Sequence, residues 1–471
     1  MPKPKHVDLV IIGAGTAGLT AAKEAEKITS NIILIDRGPL GTTCSRVGCM
    51  PSKILLQIAH DYRRVKSLAA SGIWRDGDKG RLDRRHLMLK LREKRDHFVK
   101  YALEDTLAFG DRFIQGEAQF IGPSQIRIDG KLEITAQKII IATGSSPVVP
   151  KEWQSYKSRI VTTDDLFEME DLPEKWGVIG LGPLGLEIGQ ALAWLDCDVS
   201  GFDKREQLGG IRDTAVQTKA LEGLRRDFPI MLGVDVSIEK DHGGNNKALC
   251  LKYGSQVQKV DRVLAALGRK ANLEHLNLEA AGLMLDAKGK LSCDPSTMAI
   301  KDTQVYLAGD VDAERAVLHE GADDGRIAGY NSVRPGDTSF QRRVSLRICF
   351  TTPNIGSVGQ SLNELSAPVV GEAKFDNQGR SYIMEENFGL LRIYAQQTTG
   401  LILGAEFIMP SGEHIGHILA AAIEQKATVH ELLRVPFYHP TIEEGLRTAL
   451  RDLKKKLKPT GTSTLDLAIK A

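Results

Sequence analysis

The 471-residue chain carries 62 Lys and Arg against 60 Asp and Glu, and this near balance gives no reason to expect a nucleic-acid-binding protein. Hydrophobic residues make up 42% of the chain, as in ordinary globular proteins, and no apolar run approaches the roughly 20 residues of a membrane helix. The length predicts about three domains. Six cysteines are too few for a disulfide scaffold, which predicts a cytoplasmic, reducing location.

Two stretches of the chain repeat one pattern. Residues 8–18 (DLVIIGAGTAG) and 176–185 (WGVIGLGPLG) each place an apolar strand before three glycines and a predicted helix. A second strand then ends in an acid, Asp36 or Asp203, at the same distance from the third glycine in both copies. Such glycines let the backbone approach a pyrophosphate at a helix N-terminus, and the acid accepts hydrogen bonds from a ribose. The repeat predicts two parallel-sheet, dinucleotide-binding domains.

The segment GTTCSRVGCMPSK, residues 41–53, carries two cysteines directly after the first repeat. Five residues of regular helix rise about 7.5 Å, which is more than a disulfide readily spans. A bridge between Cys44 and Cys49 therefore needs a distorted helical turn, which Gly48 permits. The pair is interpreted as a strained, reducible redox site, with two inert buried thiols as the alternative. The isolated cysteines at 197, 250, 293 and 349 are interpreted as structural.

The rest of the chain shows helical patterns at 51–70 and 83–109, then strand-like runs at 125–130, 131–134 and 138–150. The last run contains Pro147, where we expect the chain to cross into the second domain. Runs at 263–272 and 303–310 indicate returns to the first domain. Beyond about residue 345, the strand-like runs RICFTT and GLLRIYA and helical patterns at 413–425 and 441–457 predict a third, α+β domain.

The segment PFYHPTIEEG, residues 436–445, contains a candidate base. His439 precedes a proline, which can fix the orientation of its ring, and Thr441 is expected to cap the following helix. Glu444 lies one turn later, where its carboxylate can hold the imidazole in one tautomer. A base that activates a thiol needs this arrangement.

The motifs GAGTAG, CxxxxC followed by PSK, ATG at 142–144, GLGPLGLE, YLAGD at 306–310 and HPTIEE occur in this order. The chain thereby resembles the class I pyridine nucleotide–disulfide oxidoreductases, most closely the dihydrolipoyl dehydrogenases, over essentially its whole length. The resemblance implies an α/β fold with two Rossmann-like domains, for FAD and NAD, and a C-terminal α+β dimerisation domain. The implied bounds are 1–149 with 270–342 for the FAD domain, 150–269 for the NAD domain and 343–471 for the third.

The resemblance also implies the roles of individual residues. The catalytic set would be the redox pair Cys44 and Cys49, an ion pair of Lys53 with Glu187, and His439 with Glu444, the last two serving the other subunit of a homodimer with shared active sites. The implied cofactor-binding set comprises Gly13, Gly15, Gly18, Asp36, Thr43, Lys53, Gly116, Ala118, Thr143, Gly144 and Asp310 for FAD, and Gly180, Gly182, Gly185, Asp203 and Gly268 for the nicotinamide nucleotide. Asp203 favours NAD over NADP because it would repel a 2′-phosphate. No metal ligand is implied.

The implied reaction is oxidation of dihydrolipoamide, a dithiol, with NAD⁺. Three features depart from the family pattern: Thr42 replaces a glycine, Arg46 lies between the cysteines where it would favour a thiolate, and Tyr438 precedes His439. Lys204 and Arg205 beside Asp203 leave NADP open. Two alternatives therefore remain, namely an NAD(P)H-dependent reductase of another disulfide, metal or quinone, and a flavoprotein subunit of a 2-oxo acid dehydrogenase complex. Neither a nucleic acid nor a membrane is an expected partner.

Overall fold

The computed structural model describes residues 5–73, 82–241, 248–457 and 465–467. The outer ends of the predicted first and third domains, 1–4 and 468–471, lie outside the described residues. No helix within these ranges has the length and apolar character to cross a membrane. The helices are Thr16–Ala25, Thr43–Val47, Cys49–Ala70, Arg84–Leu107, Thr163–Leu166, Pro183–Trp194, Thr214–Leu224, Leu318–Ser332, Gly379–Ile383, Gly412–Glu424, Val429–Leu433 and Glu443–Lys456.

The first sheet is mixed and contains the first glycine repeat. Its strands, in spatial order, are Phe113–Gln115, Ile32–Asp36, Lys5–Ile12, Leu132–Ile141, Gln125–Ile128 and Ala118–Gly122, with Val305–Leu307 beside the end of Leu132–Ile141. The runs 131–134 and 138–150, predicted as separate, share one continuous strand that ends at Ile141. Because the strand Val305–Leu307 pairs in parallel with Leu132–Ile141, the predicted return at 303–310 is confirmed.

The second sheet is parallel and contains the second glycine repeat. Its strands, in spatial order, are Ile230–Leu232, Asp198–Asp203, Lys175–Ile179, Arg262–Ala265 and Ile160–Val161, and a small antiparallel sheet of Ser237–Lys240, Leu249–Tyr253 and Gln256–Val260 adjoins it. The predicted return at 263–272 is wrong in its first half, because Arg262–Ala265 pairs with Lys175–Ile179 inside the second sheet. The chain crosses back only at Arg269–Ala271, which pairs antiparallel with Ser145–Pro147.

The third sheet is antiparallel and forms the C-terminal α+β unit. Its strands, in spatial order, are Leu346–Cys349, Asn354–Gly359, Ile402–Met409, Leu390–Ala395 and Val369–Lys374. The helices Gly412–Glu424 and Glu443–Lys456 pack against this sheet and agree with the predicted helices at 413–425 and 441–457. Their apolar faces, including Leu419, Leu446 and Leu450, are fully buried against it.

The helix Pro183–Trp194, which we call the glutamate helix, lies where the three units meet. Every residue from Gly185 to Leu192 is buried. The helix packs against Cys49–Ala70, which we call the cysteine helix, and against the strand Leu346–Cys349 of the third sheet. A helix that is buried on all sides, here including Glu187 and Gln190, is typical of the interior of a large protein. It therefore fixes the positions of all three units relative to one another.

A buried ionic network joins the second sheet to the third. Asp213, which is fully buried, accepts hydrogen bonds from the Arg392 guanidinium at 2.6 and 2.7 Å and from the Tyr394 hydroxyl at 2.8 Å. Glu406 is 1% exposed and accepts the backbone N–H of Arg212 and of Asp213 at 2.8 and 2.9 Å. Removing one partner of such a buried pair leaves a charge without compensation.

Arg392→Leu is expected to lower the free energy of unfolding by about 3 kcal/mol, because Asp213 would keep its charge in the interior. The urea midpoint of the holo-protein measures this loss. Arg127→Leu is the matched control, since Arg127 pairs with Glu133 on the surface at 2.8 Å and such pairs contribute less than about 1 kcal/mol. Equal midpoints for the two variants would contradict the assignment of Arg392.

Candidate active site

The first of two cavities lies at the carboxyl ends of the central strands of the first sheet and has a volume of about 590 Å³. Ligands of open α/β sheets bind at such strand ends. Its lining contains most of the residues predicted to bind FAD, namely Gly13, Gly15, Asp36, Thr43, Gly116, Ala118, Thr143 and Gly144. The structure thus brings together residues that are up to 131 positions apart in the sequence.

The second cavity, of about 920 Å³, lies between the first and second sheets. It is lined by the predicted redox pair, Cys44 and Cys49, and by the predicted ion pair, Lys53 and Glu187. It is also lined by Asp310 of the predicted FAD site and by the residues predicted to bind the nicotinamide nucleotide, namely Gly180, Gly182, Gly185, Asp203 and Gly268. Gly15, Thr43 and Gly144 line both cavities, which therefore adjoin at the first glycine loop. A cofactor in the first cavity and a nucleotide in the second would meet beside the cysteines.

The two glycine loops have the same geometry. Gly13 and Gly180 have φ of +113° and +98°, and a Cβ on either would lie 2.2 or 2.3 Å from the carbonyl oxygen of the neighbouring strand end. A Cβ on Gly15 or Gly182 would instead meet no protein atom within 4 Å and would project into space that these residues line. Each loop therefore forms a cradle in which a pyrophosphate can contact the backbone.

Both repeat acids are tied to their glycine loops. Asp36 accepts the backbone N–H of Ala14 at 2.6 Å, and Asp203 accepts that of Leu181 at 2.8 Å. Asp203 also accepts the backbone N–H of Arg205 at 2.8 Å and its guanidinium at 3.2 Å. Burial alone would raise the pKa of Asp203, but the hydrogen bonds from Arg205 and Leu181 bring the pKa below its usual range. Both acids are held beside a cradle, where a ribose would lie.

The two cysteines lie on consecutive helices that Gly48 separates. Thr43–Val47 ends at Gly48, whose φ of −121° and ψ of −117° interrupt the helix, and the cysteine helix begins at Cys49. The interruption at Gly48 is the distorted turn that a bridge between the two cysteines would need, and the bridge itself stays a prediction. Both cysteines are free thiols, and they are close enough to form a hydrogen bond with each other. That bond raises the pKa of Cys44 and lowers that of Cys49 to about 7, burial raises both, and the charge of Lys53 lowers both.

An ion pair lies beside the thiols. Lys53, one turn after Cys49 on the cysteine helix, donates from Nζ to Glu187 Oε2 at 2.8 Å. The other oxygen of Glu187 accepts the backbone N–H of Phe350 at 2.8 Å, and Lys53 Nζ lies 4.6 Å from the centre of the Phe350 ring. The side chain of Glu187 is only 4% exposed. The arrangement holds a positive charge at a fixed place next to Cys49.

Asp310 lies at the junction of the two cavities. Ser145 donates from its hydroxyl to Asp310 at 2.8 Å, and the Arg269 guanidinium donates to the hydroxyl and to the carbonyl of Ser145 at 2.8 and 2.6 Å. Arg269 lines both cavities but is not among the predicted site residues. The signal for it was the GRKAN stretch after Gly268, which was interpreted only as a return of the chain.

His439 and Glu444 lie on the surface of the third unit, and neither is among the described residues that line the two cavities. His439 Nδ1 lies 2.9 Å from Glu444 Oε2, and the imidazole is 79% exposed. Arg447 donates to the other carboxylate oxygen at 2.6 Å. With Nδ1 donating to this carboxylate, Nε2 is left to accept a proton from a partner. The peptide bond between His439 and Pro440 is cis.

The expectation that Thr441 caps the last helix is wrong. The helix begins at Glu443 after Ile442, and no side chain caps it within the described residues. The Thr441 hydroxyl instead donates to the Tyr438 carbonyl at 2.8 Å. Thr441 therefore stabilises the loop that presents the imidazole and does not start the helix.

Comparison with known proteins places this geometry in a family. Residues 7–327 match the pyridine nucleotide-disulphide oxidoreductases, and residues 345–450 match the dimerisation domain of the same proteins. The chain belongs to this family. Its members are flavoproteins for which FAD is expected and a pyridine nucleotide is the usual electron donor.

Individual relatives of this oxidoreductase differ in what they act on. The chain is 29% identical to dihydrolipoyl dehydrogenase of Thermus scotoductus, with 96% of this chain and 98% of the relative aligned. It is 27% identical to mercuric reductase of Staphylococcus aureus, with 94% and 81% aligned. Among solved structures, the chain is similar to a Cu(II) complex of the flavoprotein disulfide reductase RclA from Escherichia coli, with a TM-score of 0.82 and 21% sequence identity. The match covers 95% of this chain and 99% of the RclA chain. LpdA from Mycobacterium tuberculosis matches 95% of this chain and all of its own with the same TM-score at 22% identity.

The structure assigns Arg46 of this oxidoreductase a different place from the one expected. Its guanidinium lies 3.4 Å from the Pro39 carbonyl and lines the first cavity. The charge of Lys53 lowers the pKa of both cysteines. Arg46 lines the first cavity whereas both cysteines line the second, and the expectation that Arg46 favours a thiolate stays a prediction.

The rate at which iodoacetamide alkylates Cys49 in the reduced protein is expected to rise through a midpoint near pH 7, because the thiolate is the nucleophile. Lys53→Met is expected to move the midpoint upward, since it removes a positive charge beside Cys49. Mass spectrometry of the Cys49 peptide across a pH series gives both midpoints. Arg46→Gln is the matched control, and a midpoint shift equal to that of Lys53→Met would contradict the assignment.

Proposed function

We propose that the protein is an FAD-dependent disulfide oxidoreductase that oxidises dihydrolipoamide with NAD⁺ through Cys44 and Cys49. The observation that carries the proposal is that Cys44 and Cys49 both line the second cavity, together with the ion pair of Lys53 and Glu187. A disulfide and a dithiol differ by two electrons, which matches the pair to a dithiol substrate.

The residues of the first cavity fit FAD. The open side of Gly15 forms the cradle for a pyrophosphate, and the fixed carboxylate of Asp36 faces the same cavity as an acceptor for ribose hydroxyls. Asp310 lines the second cavity with the cysteines and accepts from Ser145, which lines both cavities. When bound, FAD would supply the two-electron relay between the thiols and the nicotinamide.

The chain's own residues account for the thiol chemistry. A thiolate of the substrate attacks Sγ of Cys44 in the Cys44–Cys49 disulfide and releases Cys49 as a thiolate. The second substrate thiolate then attacks the substrate sulfur that is bonded to Cys44. This attack forms the disulfide product and releases Cys44 as a thiolate. Lys53 stabilises the negative charge on Cys49, because its ammonium is fixed by Glu187. The protons of the substrate thiols need a base, and no histidine is among the described residues that line this cavity.

We assign that base to His439 of the partner subunit in a homodimer. His439 is exposed, its Nδ1 is held by Glu444, and the third unit matches a dimerisation domain. The imidazole accepts a substrate proton at Nε2 while Glu444 stabilises the imidazolium. The arrangement supports an active site shared between two chains.

NAD is the nucleotide we propose for the second cavity. Asp203 lies beside the Gly182 cradle with its carboxylate oriented by Leu181 and Arg205, and an acid at this place favours an unmodified ribose. Arg205 is 63% exposed and pairs with Asp203, so it is the group that a 2′-phosphate would recruit. Discrimination between NAD and NADP therefore depends on whether the nucleotide contacts Asp203 or Arg205.

A second candidate is an NAD(P)H-dependent reductase of a metal or another acceptor. It is supported by the similarity to mercuric reductase and by the Cu(II) complex of RclA. Tyr438, 81% exposed beside His439, differs from the small polar residues of lipoamide enzymes in the segment where substrate would enter. Turnover of dihydrolipoamide no better than that of a generic quinone would favour this reductase. The similarity to dihydrolipoyl dehydrogenases supports association with a 2-oxo acid dehydrogenase complex, and absence from such a complex on co-sedimentation would remove this role.

Cys49→Ser is expected to abolish NAD⁺ reduction by dihydrolipoamide while the purified protein stays yellow, because the disulfide cannot form but the first cavity is intact. Absorbance of bound flavin and of NADH measures both properties. Cys250→Ser changes an isolated thiol on the strand Leu249–Tyr253, in the small sheet beside the second sheet. This variant is expected to keep both the bound flavin and the NAD⁺ reduction. Turnover in the Cys49 variant would refute the proposed function.

Arg205→Gln is expected to lower kcat/KM for NADPH by about tenfold and to change kcat/KM for NADH by less than about twofold. The reason is that a charge-assisted hydrogen bond to the 2′-phosphate contributes roughly 1.5–3 kcal/mol, and NADH lacks this phosphate. Steady-state kinetics with both nucleotides measure the ratio. Arg226→Gln is the control, because Arg226 pairs with Glu222 at 2.9 Å. An equal loss for NADH and NADPH would show that Arg205 does not select between them.

A further inference from the structure

The charges that line the first cavity are not all neutralised. Its lining contains Arg37, Arg46, Arg269 and Lys270. Arg37 lies 3.4 Å from Glu117, and Lys270 pairs with Glu274. Arg269 donates to Ser145 at the end nearest Asp310. Arg46 has no ion pair with any carboxylate in the described parts of the chain, and its hydrogen bond to the Pro39 carbonyl is long, at 3.4 Å.

The position of Arg46 is set by the loop that follows Asp36. A Cβ on Gly41 would lie 3.4 Å from Cγ and Cδ of Arg46 and 2.8 Å from Val99, so the loop closes over the stem of the arginine. The backbone N–H of Gly38, next to Pro39, donates to Asp36 at 2.6 Å. The guanidinium and the ribose acid are therefore held by the same short loop.

We propose that Arg46 binds FAD through its ADP half, by a charge-assisted contact with the diphosphate. The inference rests on FAD as the cofactor of the proposed function and adds a binding residue to it. FAD brings a diphosphate anion into this cavity. Arg46 is a cation of the lining whose charge is not paired with a carboxylate of the described residues. The weak contact with the Pro39 carbonyl is exchanged for a stronger one, because a guanidinium binds a phosphate at two points.

Affinity of the holoenzyme for FAD tests the contact directly. The dissociation constant is measured by ultrafiltration of the holo-protein at several FAD concentrations, with the released flavin quantified by fluorescence. Arg46→Gln is expected to raise this constant about tenfold, the effect of one hydrogen bond to a charged group. Arg46→Lys keeps the charge and is expected to recover most of the affinity. Added salt should weaken the wild type more than Arg46→Gln, since salt screens the contact.

Arg37→Gln is the matched control, because it removes one positive charge from the same cavity but from a side chain already paired with Glu117. We expect its dissociation constant to stay within about twofold of the wild type. Equal losses in the Arg37 and Arg46 variants, or Arg46→Gln binding FAD as tightly as the wild type, would overturn the inference. A wild-type protein that purifies without flavin would instead overturn the proposed function, so the two failures are distinguishable.

Discussion

The carboxylate of Glu187 is the point on which the three structural units depend. One oxygen accepts from Lys53 of the cysteine helix, and the other accepts the backbone N–H of Phe350, directly after the strand Leu346–Cys349 of the third sheet. Glu187 itself lies on the glutamate helix of the second unit and is nearly fully buried. A buried carboxylate without both partners would be costly, so the three units can pack only in the arrangement that supplies them.

The next turn of the glutamate helix repeats this contact with the same segment. Gln190, which is fully buried, donates to the Thr352 carbonyl at 2.9 Å and accepts the Thr352 N–H at 2.8 Å. Residues 350 and 352 are thus each held by one side chain of a helix that belongs to another unit. Together with the Asp213–Arg392 pair, these contacts hold the second unit against the third.

Local patterns predicted much of this molecule, because both glycine repeats, the break at Gly48 and the helices Gly412–Glu424 and Glu443–Lys456 are determined by residues close in sequence. Features that depend on distant partners were harder to predict. The strand Arg262–Ala265 follows the same apolar pattern whether it joins the first or the second sheet, and only pairing with Lys175–Ile179 decides. Arg46 was placed near the thiols because it lies between them in sequence, whereas the direction of its side chain depends on Gly41 and Pro39.

The two repeats share a backbone geometry but differ in how their acids are paired, and this difference bears on how each site holds a nucleotide. In the described structure Asp36 accepts backbone N–H groups of Ala14 and Gly38, which leave room on the carboxylate for ribose hydroxyls. Asp203 additionally carries the guanidinium of Arg205, which a ribose must displace or share. Displacement costs part of the binding free energy, so the second site is expected to bind more weakly. That asymmetry suits a cofactor retained in the first cavity and a nucleotide exchanged in the second at every turnover.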